Sequence, residues 1–102
     1  MPTWDIKHSP NTITAAEKEQ LATSITSLYV SRGLPAFYVQ VHFSEDLPGT
    51  AFVGGEPHAS FAAVTIYHVA RAFKSDEAKR RFLADVDGIL NPVFEPKGMD
   101  WE

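Results

Sequence analysis

The chain has 102 residues, 44% of them hydrophobic and 22% charged, no cysteine, and a formal net charge of −4. This is the composition of one globular domain over residues 1–102, not of a disordered segment. The charge disfavours a nucleic-acid backbone as partner, and the lack of cysteine excludes a disulfide framework and a thiolate nucleophile.

No stretch approaches the roughly 18 apolar residues of a membrane span. The start lacks the basic region and apolar run of a signal peptide. A soluble, cytoplasmic protein is therefore expected. A domain of this size buries a modest share of its surface, so association with copies of itself would add stability.

Residues 3–8, Thr3-Trp4-Asp5-Ile6-Lys7-His8, alternate as a strand does. Trp4 and Ile6 point one way; Thr3, Asp5 and Lys7 point the other. Ser9-Pro10-Asn11 is a turn cluster. Thr14-Ala15-Ala16-Glu17 matches a capping box, and Leu21, Ile25, Leu28 and Tyr29 then form one apolar helical face. Gly33 stops that helix, with Pro35 just beyond. Residues 38–44 read as a second strand, with Val39, Val41 and Phe43 alternating with Gln40 and His42. A crossover of this kind makes its two strands parallel.

Residues 45–61 are less regular. Ala51-Phe52-Val53 is expected to pack or pair, and Gly54-Gly55 to turn the backbone. A third strand is expected over 63–70, apolar enough to be buried on both sides. Ser75 caps a second helix, with Asp76 and Glu77 in its first turn. Ala78, Phe82, Val86, Ile89 and Leu90 mark its buried face, and Asn91-Pro92 should end or kink it. Gly98 precedes the start of a fourth strand at Met99-Asp100-Trp101-Glu102.

The expected fold is thus α+β: β-α-β, a loop, then β-α and an incipient β. Both helices would cover one face of a four-stranded sheet. The other face needs a cover, for which another subunit is the natural candidate.

The candidate chemistry centres on Pro2. With Met1 removed, Pro2 would carry a secondary amine, a compact base set at the start of a strand. Arg71 and Lys74 follow the third strand, where ligand sites gather in β-α units. An arginine there can grip a carboxylate through two parallel hydrogen bonds. Two cations near the Pro2 amine would disfavour its protonated form and lower its pKa toward neutrality, where a base works best. His8, His42, His58 and His68 do not form a metal-ligand spacing. His42 and His68 are expected to be hydrogen-bonded packing residues. Tyr29 is expected in the core or in a pocket wall. Gly54-Gly55 is not a phosphate loop, because no Lys-Ser/Thr follows at the required spacing.

These features together resemble the tautomerase superfamily, in particular its group similar to cis-3-chloroacrylic acid dehalogenase. The resemblance is carried by Met1-Pro2 before a strand, by Ile25-Thr26-Ser27-Leu28-Tyr29 and by Val39-Gln40-Val41-His42-Phe43. It continues through Phe52-Val53-Gly54-Gly55, Ile66-Tyr67-His68-Val69-Ala70-Arg71 and Lys74-Ser75. It implies a β-α-β-β-α-β fold with a truncated last strand, assembled as a homotrimer with sites near subunit boundaries. It implies no cofactor. Pro2 would be the catalytic amine and Arg71 the first carboxylate-binding arginine. Lys74 stands where a second arginine is usual.

Two departures from the family pattern stand out. Tyr29 occupies the place of a substrate-binding histidine. A tyrosine and a glutamate that help activate water in the hydrating and dehalogenating members would lie beyond Glu102. The resemblance therefore favours tautomerisation of a small 2-oxo or enol acid. A dehalogenase-like hydratase and a non-catalytic trimeric binding protein of the same fold are the alternatives.

Overall fold

The computed structural model describes residues 2–67 and 75–102. Strand β1 (Thr3–His8) leads into helix α1 (Ala15–Val30), and a 3-10 turn at Ala36–Tyr38 precedes β2 (Gln40–Glu45). Two short strands follow, β3 (Phe52–Val53) and β4 (Glu56–Pro57). Then come β5 (Phe61–Tyr67), α2 (Asp76–Phe94), a second 3-10 turn at Glu95–Lys97, and β6 (Asp100–Trp101). The main sheet has the order β2-β1-β5-β6. β1 and β2 are parallel, as are β5 and β6, and the two pairs meet antiparallel at β1 and β5.

Two β-α-β units are thus related by an approximate twofold axis. Their entries match in detail. The Gln40 amide donates to the Pro2 carbonyl at 3.0 Å, and the Asp100 amide donates to the Ser60 carbonyl at 3.2 Å.

Helix α1 begins where the capping box places it. Thr14 Oγ1 accepts the Glu17 amide at 3.1 Å, and Glu17 Oε1 accepts the Thr14 amide at 2.8 Å. These bonds satisfy two amides that the helix leaves unpaired. The Thr14 amide, with Lys97 beside it, also holds the Glu17 carboxyl below its usual range. Leu21, Ile25 and Tyr29 are buried, with Leu28 packed against them. The chain leaves the helix through Ser31 and Gly33, whose φ of 91° suits glycine.

On α2 the buried residues are Phe82, Val86, Leu90, Val93 and Phe94. The end or kink expected at Asn91-Pro92 meets a helix that continues through Pro92 to Phe94. Proline cannot donate to the carbonyl four residues back. The last turn buries Val93 and Phe94, and that burial offsets the missing bond.

Strand β2 starts two residues later than the pattern suggests, because residues 36–38 wind into the 3-10 turn after Pro35. Strand β5 starts two residues earlier, at Phe61. The expected continuation over His68, Val69 and Ala70 lies outside the described residues. Gly54 and Gly55 both have positive φ, 62° and 81°, and turn β3 into β4 as a tight hairpin. That hairpin pairs but does not pack: Phe52 and Val53 stay exposed.

Trp4, Ile6, Phe82, Phe94 and Leu90 anchor the core between the sheet and the helices. Among the described residues, no element covers the opposite sheet face. Thr3, Asp5 and Lys7 alternate outward on β1, beside Gln40, His42 and Ser44 of β2 and Ala63, Thr65 and Tyr67 of β5. In the single chain β5 is therefore not covered on both sides, since both helices lie on the Trp4 face. Among the described residues, no helix is long and apolar enough to cross a membrane.

Cap and core should separate in stability measurements. Thr14→Ala is expected to cost about 1 kcal/mol and Leu90→Ala about 2–5 kcal/mol, read from urea unfolding midpoints. A Leu90→Ala loss no larger than that of Thr14→Ala would show that α2 does not seat the core.

Candidate active site at the start of β1

Pro2 is buried directly before β1. Its carbonyl is held by the Gln40 amide. The next residue, Thr3, lies opposite Gln40 on one side and Tyr67 on the other. An inner strand therefore grips this residue's neighbourhood from both edges. The start of β1, the start of β2 and the end of β5 converge at one end of the sheet. The C-terminal end of α1 reaches the same end, because it feeds β2 through a short turn.

Tyr29 is tied to that end through Trp4. The Trp4 indole N–H donates to Tyr29 Oη at 2.9 Å in the interior. The Tyr29 ring lies 6.0 Å from Phe82, and the Arg32 guanidinium sits 5.3 Å above Phe82 while bonding Asp85 at 2.7 Å. Tyr29 is 3% exposed. Burial pushes its phenol above the usual 10.0, against the opposing effects of the Trp4 hydrogen bond and the Arg32 charge. The structure thus ties Tyr29 to β1 through Trp4, two residues after Pro2. Arg71 and Lys74 lie outside the described residues.

The histidines do other work. His42 Nε2 donates to Gln40 Oε1 at 3.1 Å on the open face. His58 Nδ1 accepts the Ser60 amide at 3.1 Å, so its Nε2–H points to Asp100 Oδ2 at 2.9 Å. His68 lies outside the described residues. His8 is fully buried, with Nδ1 donating to the Ser9 carbonyl at 3.0 Å. Its burial was legible, because the Trp4 and Ile6 alternation reaches His8 next. Among the described residues no cluster of three or more His, Asp or Glu could hold a metal.

A cavity of about 270 Å³ lies at the other end of the sheet, between Pro10, Leu47, Pro48, Pro57 and His58. It is distant from Pro2 along β1. Sequence reasoning also missed the turn before β2. There Phe37 and Tyr38 stand exposed with ring centroids 4.5 Å apart.

The family model Tautomerase_3, "Putative oxalocrotonate tautomerase enzyme", matches residues 1–102. The chain belongs to this tautomerase family. Among solved structures, the tautomerase-family chain is similar to a probable enzyme from the thermophilic fungus Aspergillus fumigatus. The two are 60% identical over 100% of this chain and 71% of that one, with a TM-score of 0.95. Native RhCC from Rhodococcus jostii RHA1 is 35% identical over 98% of this chain and 72% of its own, with a TM-score of 0.93. N1, a member of the cis-3-chloroacrylic acid dehalogenase family, is 20% identical over 97% and 70%, with a TM-score of 0.73. That last likeness is one of fold. No protein of curated function matches the tautomerase-family chain.

The Tyr29 environment has a pH signature. Its folded-state pKa lies above its unfolded one, so its contribution to stability is complete below pH ~10 and is lost as pH rises through the folded value. Wild type should therefore lose stability relative to Tyr29→Phe as the pH rises past the ordinary tyrosine value of about 10, measured by urea unfolding over that range. A stability difference that stays constant across that range would show that the phenol is not desolvated.

Proposed function

We propose that this protein is a cytoplasmic, cofactor-independent tautomerase. Its base is the Pro2 amine and its substrate a small 2-oxo or enol carboxylic acid. The observation that carries the reading is the place of Pro2: buried, directly before the inner strand of the sheet, with its carbonyl bonded to Gln40. Family membership supports the same chemistry.

In the proposed reaction, the Pro2 nitrogen accepts the proton from the C2 hydroxyl of the enol and delivers a proton to C3. The keto acid results, and the amine returns to its starting state. The base must be a free secondary amine, so Met1 must be absent; as an amide the nitrogen is not basic. Arg71 holds the carboxylate in two parallel hydrogen bonds and Lys74 adds a second positive charge. These charges stabilise the enolate that develops as the proton moves. Tyr29, held by Trp4, closes the site from the helix side. Proton transfer of this kind needs a base and a cation and no redox group.

The assembly we propose is a homotrimer. The open sheet face is the surface that another copy would cover. That face pairs Asp5 with His42 in register and carries Thr3, Lys7, Gln40 and Thr65. It is polar, so complementary hydrogen bonds would set the fit.

The test compares protein whose intact mass shows Met1 removed with its Pro2→Ala variant, following phenylpyruvate enol-to-keto conversion. Replacing the rigid secondary amine by the freely rotating primary amine of alanine is expected to lower kcat/KM about 100-fold. Arg71→Ala should raise KM through the lost carboxylate grip and lower kcat through the lost enolate stabilisation. A rate equal to buffer in both proteins would remove the tautomerase reading. Light scattering should give three times the chain mass, and a monomer would remove the trimer.

A further inference from the structure

The burial of β1 alternates, and the alternation reaches back past the strand to Pro2. Pro2, Trp4, Ile6 and His8 are buried, while Asp5 and Lys7 are exposed and Thr3 is half-buried. Side chains two apart on a strand share a face and stand about 6.6 Å apart along it. Trp4 is therefore the next side chain along from the Pro2 ring on the helix-covered face. Extending the β1–β2 register by one residue sets Val39, which packs against the core, beside Pro2. The counterpart on the β5 side, His68, lies outside the described residues.

We propose that Trp4 is a positioning residue for the Pro2 amine, held by Tyr29 in the one ring orientation that seats the pyrrolidine. The inference rests on the proposed Pro2 chemistry and adds a residue to that site. Orientation carries the argument. An indole side chain turns about its second torsion in two broad wells, which present opposite edges to a neighbour. Its N–H is a donor only, so the fully buried ring must set that edge against an acceptor. Tyr29 Oη is that acceptor, at 2.9 Å. Turning the ring over would take a buried N–H away from this oxygen. The bond therefore chooses one well, and with it the indole edge that Pro2 meets.

Pro2 needs such a seat. With Met1 removed, nothing covalent holds its nitrogen side. The bond described for its backbone is on the other side, from its carbonyl to the Gln40 amide. Packing of the ring then sets where the nitrogen stands, and a misplacement of about 1 Å can cost a reaction about 100-fold. A Trp4–Tyr29 bond that served the core alone would change stability and leave turnover as it is.

The test is a double-mutant cycle of Trp4→Phe and Tyr29→Phe, on protein whose intact mass shows Met1 removed, reading kcat and KM for phenylpyruvate enol-to-keto conversion. Trp4→Phe keeps a buried ring and removes the donor; Tyr29→Phe keeps the indole and removes its acceptor. Each should lower kcat roughly 10-fold, Trp4→Phe at a KM within about twofold of wild type, and the double variant should fall no further than the lower single one. Ile6→Val, which trims the next buried residue on the same face, should keep the wild-type kcat at a measurable loss in urea unfolding midpoint. A wild-type kcat in Trp4→Phe overturns the inference, and where that variant does not fold, a wild-type kcat in Tyr29→Phe does so. Losses that multiply in the double variant also overturn it, because Tyr29 would then act on its own. So does a fall in kcat for Ile6→Val as large as for Trp4→Phe, which would assign the effect to a loosened core. The proposed function fails separately, if wild type with Met1 removed converts the enol no faster than buffer.

Discussion

The structure depends on β1 being hydrogen-bonded along both edges. β2 lies parallel on one side and β5 antiparallel on the other. An inner strand has no freedom to slip, because a shift of one residue would turn Trp4 and Ile6 outward and Asp5 inward. That penalty fixes the place of every residue in the strand, and of the one just before it. Pro2 inherits a position set by the burial of its neighbours, and among the described residues its bond in the ladder is the one to Gln40.

Trp4 links this constraint to the helices. Its indole fills the core, and its N–H meets the Tyr29 hydroxyl. A buried indole N–H left without an acceptor would cost about 1–3 kcal/mol, so the bond sets how α1 lies over the sheet. Arg32 and Asp85 continue the tie from α1 to α2 at the surface. Their contribution to stability is small, since both side chains are about half exposed to water.

Much of the fold was legible because its signals are local. The Thr14–Glu17 box, the Leu21–Ile25–Tyr29 spacing and the alternation around Trp4 each have a period or a chemistry that a short window contains. The departures come where distant contacts decide. Pro92 reads as a stop, yet α2 passes through it because Val93 and Phe94 find the core. The 36–38 turn reads as strand because its bonds are made by backbone, not by side-chain pattern. The site is legible in a different way. Nothing local distinguishes Pro2 from any early proline; only the strand behind it does. The exposed pair Phe37-Tyr38 carries no periodic signal, and sequence alone does not reveal that these rings stay in solvent.

The approximate twofold axis treats Pro2 and Ser60 alike. Each immediately precedes a central strand, and each offers its carbonyl to the first residue of the parallel neighbour, Gln40 or Asp100. Yet the nitrogen of Ser60 is locked in a peptide bond and is planar, with its lone pair delocalised. No trimming of the chain can turn it into a base without cutting the domain in two. A fold with two equivalent seats therefore holds one amine at most. Its internal duplication doubles the scaffold, and the proposed chemistry stays single; the second seat serves as structure, with His58 bridging the Ser60 amide and Asp100.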